Sequence, residues 1–313
     1  IIWGNLAGGV ANAIYNSDVA SVPVVNYSLV QGGYTGTANV NADPLFINPV
    51  VATLAPTLTG DYRVQKCSPA LNAGSNAYVP GSVNNDLDYT PRINYGRVDM
   101  GAYEKQLVFA VPDAGGVIYV DHTKSGNGNS WVNAISQLAE ALIEARYNTA
   151  VKEIWVAKGT YKPRFSAVDG SSYSCTPSVT NRDNSFVLAK DVKLYGGFEG
   201  GEADTAGRDF IVNETILSGD LGSLSNNDNC YHVIIAAAAD IGTAEINGFS
   251  VTAGNANGGS VIGVNTIPVE RYNGAAIYNA TPLSSLTIQN CGIHTNNANV
   301  EAGGVFSKAY STA

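Results

Sequence analysis

Short apolar runs separated by polar turns fill the chain from residue 117 onward. Each run is three to eight residues long, and glycine, asparagine and aspartate occupy the intervals between runs. Runs of this kind, rich in β-branched and aromatic residues and bounded by turn formers, predict β-strands in a sandwich, a barrel or a β-solenoid. The predicted strands cover residues 117–121, 154–157, 185–188, 192–195, 215–217, 231–235, 244–251 and 286–288.

One segment has the periodicity of a helix instead. Ile135, Leu138 and Leu142 recur at i, i+3 and i+7, which places them on one face of an α-helix. The pattern predicts a helix over residues 134–146 with Asn133 as its N-cap. Because its apolar stripe must be buried, we expect the helix to cover the N-terminal end of a second structural unit.

A repeat in the C-terminal part separates the all-β alternatives. The segment 249–251 and Asn255 recur as segment 291–293 and Asn297, at a constant offset of 42 residues. A strand followed by an asparagine-rich turn, recurring every few tens of residues, is typical of stacked solenoid coils. The irregular repeat length favours a right-handed parallel β-helix, in which asparagine side chains can bond along the stack.

A second repeated sequence extends this interpretation to the N-terminal part. The tetrapeptide Ala-Ile-Tyr-Asn occurs at residues 13–16 and again at 276–279, each time shortly after glycine. We therefore expect coils of the same kind in both halves of the chain.

Composition agrees with an all-β fold and removes several functional classes. Charged residues make up 14% of the 313 residues, below the average of about 25%, and 34 residues are glycine. The net charge of −9 argues against nucleic-acid binding, because few basic groups are available to neutralise phosphates. No apolar run reaches the roughly 18 residues of a membrane-spanning helix, so we expect no membrane insertion of this segment.

Two ordered sets of motifs connect the chain to a known family. The first set comprises Asn41-Ala-Asp-Pro-Leu-Phe-Ile47, Gly60-Asp-Tyr-Arg63, Ser68-Pro-Ala-Leu-Asn-Ala-Gly74 and Val98-Asp-Met-Gly-Ala-Tyr-Glu104. The second set comprises Ile118-Tyr-Val-Asp121, Gly128-Asn-Ser-Trp131, Glu153-Ile-Trp-Val-Ala-Lys-Gly-Thr-Tyr-Lys-Pro163, Leu194-Tyr-Gly-Gly-Phe-Glu199, Arg208-Asp209 and Thr215-Ile-Leu-Ser-Gly-Asp220. They resemble, respectively, the closing and the opening segments of right-handed β-helix domains in large secreted and cell-surface proteins of Gram-negative bacteria. The resemblance is to the polymorphic-outer-membrane-protein-like, choice-of-anchor type.

The order of these motifs implies a domain organisation. A closing segment precedes an opening one, so residues 1–106 are expected to hold the last coils and closing segment of one β-helix. Residues 107–116 are expected as a linker, and residues 117–313 as the N-terminal cap and first coils of a second β-helix. We therefore expect this chain to belong to a longer protein of tandem domains.

The densest charge cluster lies in the expected closing segment. Asp86, Asp88 and Asp99 are candidate Ca²⁺ ligands, or a carboxylate trio for sugar hydrolysis. Arg92 lies among them and would compete with a metal. The favoured interpretation is therefore a loop pinned by Asp–Arg pairs with help from Glu104, and we expect no cofactor.

A second acidic loop lies between residues 196 and 209. It carries Glu199, Glu202, Asp204 and Asp209, and Arg208 is the expected counter-charge. Such a loop could bind Ca²⁺, but a solvated loop is the favoured interpretation. The sequence Asp204-Thr-Ala206 resembles an O-glycosylation acceptor of exported Gram-negative proteins, with Thr205 as the modified residue.

The four cysteines form no C-x-x-C pair, which argues against a zinc site. Cys175 and Cys230 lie in polar loops of a chain whose resemblance implies export, and we expect a disulfide between them. Cys67 and Cys291 are expected to stay reduced and buried.

The chemistry-bearing residues predict no enzyme. The three histidines are scattered, His232 is expected to be packed in a strand, and no nucleophile motif or phosphate loop is present. We expect a structural and adhesive segment of a cell-surface or secreted Gram-negative protein, with glycans or surface proteins as partners. The alternative is a carbohydrate-active β-helix enzyme, either a polysaccharide lyase or a glycoside hydrolase.

Overall fold

The computed structural model describes residues 1–11, 13–18, 20, 22–66, 68–169, 171, 181–222, 225–281 and 286–309. The chain forms two compact units. Unit 1 is built on Ile1–Leu107, and unit 2 on Val108–Asp169 together with the described residues from 181 onward. Within the described ranges the regular structure is mostly β-strand with a single α-helix, which confirms the all-β prediction.

Unit 1 contains few and short strands. Strands β1 (Leu6–Ala7) and β2 (Val10–Ala11) pair antiparallel, as do β3 (Phe46–Asn48) and β4 (Asp61–Val64). Two 3-10 turns span Ala52–Leu54 and Asn76–Tyr78. Parallel pairing among the described residues of this unit is limited to the isolated bridges Ile2–Val30 and Leu29–Val40, in place of the stacked coils expected for residues 1–106.

Unit 2 contains the helix and most of the strands. A 3-10 turn covers Thr205–Gly207 and helix α1 covers Leu138–Tyr147. The strands are β5 (Val117–Val120), β6 (Glu153–Ala157), β7 (Gly159–Tyr161), β8 (Phe186–Val187), β9 (Lys193–Phe198), β10 (Thr215–Ser218), β11 (Ile234–Ala237), β12 (Glu245–Asn247), β13 (Ser250–Thr252), β14 (Asn255–Ala256), β15 (Val261–Val264), β16 (Ile267–Glu270), β17 (Ile277–Ala280), β18 (Thr287–Gln289), β19 (Gly292–Ile293), β20 (Asn297–Ala298) and β21 (Val305–Ser307).

Most of these strands form three parallel sheets. Sheet A has the order β5-β6-β9-β12-β18, sheet B the order β7-β10-β13-β19, and sheet C the order β8-β11-β17-β21. All neighbours within the three sheets are parallel. From β6 onward the chain passes through A, B and C in that order and then returns to A, so each pass adds one strand to each sheet.

Residues that lie 42 positions apart in the repeat are paired with each other in these sheets. Val251 pairs with Ile293, and Asn255 of β14 pairs with Asn297 of β20. The two copies of the repeated tetrapeptide have different structures. Tyr278 in β17 is fully buried, whereas Tyr15 lies outside any strand and is 78% exposed. The offset of 42 therefore predicts pairing, and the tetrapeptide does not predict coils in unit 1.

The core of unit 2 lies inside the three sheets. Side chains alternate across a strand, so every second residue points inward and meets its equivalent in the next strand. In sheet A the inward column is Ile118, Ile154, Leu194 and Ile246, each at most 1% exposed. The columns of sheets B and C contribute Tyr161, Leu217, Val251, Phe186, Ile234 and Ile277 to the same core.

Helix α1 begins at Leu138, four residues later than predicted, with Gln137 rather than Asn133 at its N-cap. The reason is that Ile135 pairs with Val120 in a parallel bridge and cannot start a helix. Leu138 and Leu142 are nevertheless buried, and α1 packs against β5 and β8, the outermost strands of sheets A and C. The predicted burial of the apolar stripe is thus confirmed.

The segment predicted as a linker is part of unit 2 from Val108 onward. Phe109 and Ala110 are buried, and both of their N–H groups donate to Oε2 of Glu144 on α1. A buried carboxylate that accepts two backbone N–H groups fixes this segment against the helix. Charged side chains on the buried face of a helix are rare, and the sequence did not single out Glu144.

An antiparallel hairpin, β15–β16, covers the outer face of sheet C. Ile262, Val264, Ile267 and Val269 of the hairpin cluster with Val187, Ile235 and Tyr278. The hairpin tip is held by Asp169, whose carboxylate accepts the N–H groups of Asn265 at 2.6 Å and Thr266 at 2.7 Å. This hairpin was not among the predicted strands.

Candidate functional site

The candidate site with the most chemistry is the carboxylate cluster of unit 1. Asp86 lies in a tight loop whose ends pair through the antiparallel bridge Asn85–Pro91. Its Oδ1 accepts the N–H groups of Asp88 and Thr90, each at 2.9 Å, and its Oδ2 accepts the N–H of Glu104 at 2.8 Å. The side chain therefore closes its own loop and ties that loop to the segment ending at Glu104.

Asp99 makes a second tie of the same kind. Its Oδ1 accepts the N–H of Asn72 at 2.6 Å, and its Oδ2 accepts the N–H of Lys105 at 2.8 Å. Asp99 is 3% exposed, so these bonds compensate an otherwise costly buried charge. They join two parts of unit 1 that lie 27 residues apart in sequence.

Glu104 and Arg92 form the charged pair of the cluster. Nη1 of Arg92 donates to Oε2 of Glu104 at 2.8 Å, and Nη2 donates to the carbonyl of Gly101 at 2.6 Å. Glu104 also accepts the N–H of Asp99 at 2.9 Å and that of Asn94 at 3.0 Å. The expectation that arginine would pair with an aspartate is wrong, because Arg92 binds the glutamate and both buried aspartates bind backbone N–H groups.

Asp88 is not part of this buried set. It is exposed, and its nearest charged partner is Arg63, with Nη1 to Oδ2 at 3.6 Å. Arg63 is mainly engaged by Asp61 in a pair at 2.5 Å. The structure therefore brings Asp86, Asp99 and Glu104 together and leaves Asp88 at the surface.

Burial shifts the pKa values inside the cluster. Burial raises the pKa of Asp99 to about 6, against the lowering effect of its N–H partners. Burial, followed by the negative charge of Asp99, raises the pKa of Glu104 to about 7. Burial also acts to raise the pKa of Asp86, but its backbone N–H donors outweigh it and its pKa lies below the ordinary value.

The hydrogen bonds limit what this cluster can do chemically. All six carboxylate oxygens of Asp86, Asp99 and Glu104 accept a bond from a backbone N–H group or from Arg92. A Ca²⁺ ion would have to displace these donors, and the described part of the chain contains no group of three acidic, histidine or cysteine residues arranged to hold a metal. A groove of about 290 Å³ borders the cluster, yet the side chain of Glu104 that lines it is fully buried.

The second acidic loop is distributed over separate local contacts. Glu202 accepts the N–H groups of Glu199, Gly200 and Gly201, while the carboxylate of Glu199 pairs with Lys158 at 2.6 Å. Asp204 caps the 3-10 turn that begins at Thr205, and Asp209 accepts the N–H groups of Ile211 and Val212. Glu202, Asp204 and Asp209 thus each stabilise a local turn, whereas Glu199 binds a distant lysine. Thr205, which is half-buried, stays a predicted glycosylation site.

Arg208 has a different role from the expected counter-charge. Its guanidinium donates to the carbonyls of Gly196 and Asn247 and to Oδ1 of Asn247, at 2.9–3.2 Å. It also lies 4.8 Å from the ring centroid of Tyr195, in cation–π geometry. Arg208 therefore links β9 to β12 across neighbouring passes of the chain.

The cysteine predictions fall partly outside the described residues, since Cys175 and Cys67 both lie there. Cys230 is fully buried with a free thiol, and burial raises its pKa. Cys291 is half-buried with a free thiol. The pairing of Cys175 with Cys230 stays a prediction.

His232 is a packed histidine, as expected, although it lies outside any strand because β11 begins two residues later at Ile234. It is 2% exposed, its Nδ1 lies 3.0 Å from the carbonyl of Gly274, and its ring contacts Tyr278 edge-on. Burial lowers its pKa to about 4, so the ring is neutral at pH 7. The structure does not bring His122 or His294 into a cluster with it among the described residues.

Sequence reasoning missed an arginine clamp around Tyr231. The guanidinium of Arg182 lies 4.1 Å from the ring centroid and that of Arg271 lies 5.5 Å from it. Arg182 also donates to Asn229 and Asn255, and Arg271 pairs with Asp183 at 2.6 Å. The partners lie up to 88 residues apart, and no local pattern in the sequence marks them.

Neither a protein-family model, nor a curated protein, nor a solved structure matches this chain. Within the described ranges, no helix has the length and hydrophobicity needed to cross a membrane. The functional conclusion therefore rests on the geometry of the two units.

Proposed function

We propose that unit 2 is the beginning of a right-handed parallel β-helix and that unit 1 is the closing segment of a preceding one. Four passes through sheets A, B and C in constant order support this for unit 2. Connections that return to a parallel strand of the same sheet are right-handed in nearly all proteins, which supports the handedness. For unit 1, the support is the set of closing motifs and the buried carboxylate ties.

On this basis, the chain is a structural and adhesive segment of a long cell-surface or secreted protein of a Gram-negative bacterium. The observation that carries the proposal is the aligned register of successive passes in unit 2. Each pass adds about 4.8 Å along the stack and extends a continuous hydrogen-bond ladder. Such a ladder grows by addition of repeats and presents regular surfaces to partners.

The outward positions of sheet A illustrate such a surface. Lys193, Glu245 and Thr287 form one row across β9, β12 and β18, and Gln289 of β18 lies exposed beyond that row. Hydroxyl, amide and charged groups at fixed spacing suit hydrogen bonding to glycans or to protein surfaces. The other proposed partners are further tandem domains of the same longer chain. We propose no nucleic-acid partner.

The buried carboxylate cluster supports a structural over a catalytic role for the closing segment. A catalytic acid or base must reach a reacting group in an open site. Every carboxylate oxygen of Asp86, Asp99 and Glu104 instead accepts a hydrogen bond from within unit 1. We accordingly propose that the chain carries no catalytic site and needs no metal or cofactor.

A binding screen of the intact chain tests the proposal. Purified chain is applied to arrays of immobilised glycans and extracellular-matrix proteins, with urea-unfolded chain as the matched control. We expect saturable binding to at least one class of ligand that disappears on unfolding. Folded chain that binds no glycan and no protein on the arrays would contradict the adhesive role.

A further inference from the structure

A groove of about 320 Å³ opens in unit 2 at the outer edge of sheet B. Its floor contains the buried residues Tyr161, Pro163 and Leu221. The groove exists because sheet B ends at β7, whereas sheet A continues to β5 and is followed by α1. Its volume is within the range of about 300–1,000 Å³ that is typical of ligand pockets.

Polar side chains from several chain segments form the walls. Ser136 and Gln137 come from the segment before α1, Thr160 from β7, and Asn184 from the segment before β8. Hydroxyl and amide groups therefore surround an apolar floor, which is the common composition of a small-molecule site.

The side chains of the groove include basic residue types and no acidic ones. His122, Lys162 and Arg164 line it, and none of its ten lining residues is acidic. Lys162 is already paired with Asp220 at 3.1 Å. Arg164 is half-buried and, in the part of the chain that the structure describes, has no ion pair or side-chain hydrogen bond.

The neighbouring acid does not neutralise Arg164. Asp121 faces Tyr161 and raises the pKa of its hydroxyl, after the larger effect of burial. Its Oδ1 accepts both the N–H and the hydroxyl of Thr123, and Asp121 itself is buried. An unpaired guanidinium in a chain with a net charge of −9 is a local centre of positive potential.

We propose that this groove binds an acidic saccharide, with its carboxylate on Arg164. The planar guanidinium can hold a carboxylate through two parallel N–H···O bonds. Ser136, Gln137 and Thr160 supply donors and acceptors for ring hydroxyls, and the floor formed by Tyr161 and Leu221 accepts the C–H face of the sugar. The inference rests on the proposed glycan-binding function and names a ligand class for one site.

The same groove is less suited to an acidic peptide. A peptide that added a strand to sheet B would pair with β7, which has only three residues. Few backbone hydrogen bonds would form, whereas the groups that line the walls are side-chain hydroxyls, amides and cations. The saccharide therefore matches the chemistry present more completely.

Calorimetric titration of the full chain with trigalacturonate tests the inference. The neutral probe is a trisaccharide of galactose, and the peptide probe is triglutamate. Arg164→Gln removes the charge, Arg164→Lys keeps the charge without the planar fork, and Lys152→Gln is the control for loss of one exposed charge outside the groove. Circular dichroism and thermal unfolding establish that each variant is folded.

We expect one trigalacturonate per chain and at least about tenfold weaker binding of the neutral trisaccharide, because a charged hydrogen-bonded contact is lost. Arg164→Gln should weaken trigalacturonate binding at least about tenfold, Arg164→Lys by less, and Lys152→Gln by less than about twofold. Equal binding by folded Arg164→Gln, absence of binding by the unmodified chain, or tighter binding of triglutamate would each overturn the inference.

The outcome also separates this inference from the proposed function. Binding of other glycans on the array, with no trigalacturonate binding in solution, would leave the adhesive role intact and reject the groove. Trigalacturonate that binds through Arg164 and is then shortened would support the groove and reject the non-catalytic role.

Discussion

Individual buried polar side chains stabilise each unit internally by accepting bonds from, or donating bonds to, backbone groups far away in sequence. In unit 1 the acceptors are the carboxylates of Asp86, Asp99 and Glu104. In unit 2 the buried Asn255 donates from Nδ2 to the carbonyl of Asn226, 29 residues away in sequence, at 2.7 Å. Buried polar groups of this kind cost free energy when one partner is lost, so they make sharp tests.

The raised pKa values of Asp99 and Glu104 predict a pH dependence of stability. Their folded-state pKa values, about 6 and about 7, lie above the ordinary values of 3.8 and 4.5. The stabilisation is therefore fully present below about pH 4 and is lost as the pH rises through 7. The pKa of Asp86 is lowered, so its stabilisation is lost only as the pH falls through the ordinary value of 3.8, and Asp86 adds almost no slope above about pH 5.

Hydrogen-exchange protection of the Asn72 and Lys105 amides, measured from pH 4.5 to 8, checks this prediction. Protection should fall with rising pH, and Glu104→Gln should flatten the profile because one titrating group is removed. Asp88→Asn changes an exposed carboxylate and should leave the profile unchanged. A flat profile in the unmodified chain would contradict the buried-acid account.

The asparagine contacts predict a loss of stability in unit 2. Asn255 is 5% exposed, donates to the carbonyl of Asn226 at 2.7 Å and accepts from Asn297. Asn255→Ala should lower the free energy of unfolding by about 1–3 kcal/mol, since two bonds in a buried site are lost. Urea unfolding measures the change, with Asn299→Ala as the exposed control; equal effects of both variants would contradict the prediction.

For single residues, the sequence predicts that aspartates stabilise the closing segment, but it does not predict which of these aspartates are buried. Asp86 and Asp88 are alike in sequence, yet only Asp86 is buried, because the N–H of Glu104 meets its Oδ2. That contact spans 18 residues and depends on the closed loop. The same holds for Arg164, whose significance comes only from the groove around it.

Among the elements, the spacing of apolar residues predicts that helix α1 exists. It does not predict the residue at which the helix begins. The apolar stripe fixes the buried face, but the bridge that Ile135 forms with Val120 of β5 depends on tertiary pairing. The apolar runs predict β5, β6, β8, β9, β10, β11 and β18 within a few residues, and they predict β12 and β13 as one strand. Strands β7, β17, β19 and β21 are not among the predicted strands. The hairpin β15–β16 was missed because half of its residues face an apolar sheet that the local pattern cannot reveal.

Helix α1 gives a direct test of how the end of unit 2 is covered. Leu138 is 1% exposed and belongs to the main core. Leu138→Ala should lower the free energy of unfolding by about 2–5 kcal/mol through lost burial and a cavity. Val132→Ala, at a position 83% exposed, is the control and should change stability by less than about 0.5 kcal/mol. Similar small effects in urea unfolding would count against a covering role.

The hairpin gives a second test at this scale. Asp169→Ala removes the acceptor of the Asn265 and Thr266 amides, both of which have positive φ angles in the tip. We expect faster hydrogen exchange at these two amides and a loss of about 1 kcal/mol. Asp204→Ala, which uncaps a separate 3-10 turn, should leave the hairpin amides unchanged. Unchanged exchange in Asp169→Ala would show that the tip does not depend on the carboxylate.

For the whole molecule, the 42-residue offset is the strongest sequence signal, and it corresponds directly to parallel pairing in unit 2. The signal arises because β12, β13 and β14 each pair with a strand 42 residues later, whereas the offsets between the other paired strands differ. Unit 1 lacks such an offset, and its described strands pair antiparallel. Its organisation depends on loop closure through buried carboxylates, which no periodic pattern encodes.

We propose that the chain binds extended ligands without transforming them. Folded chain is incubated with a panel of polysaccharides, and binding, reducing-end release and absorbance of unsaturated products are followed in parallel. The account predicts binding with unchanged polymer length. Turnover that disappears in a folded Asp86→Asn or Asp99→Asn variant would contradict it and assign the carboxylate cluster of unit 1 to catalysis.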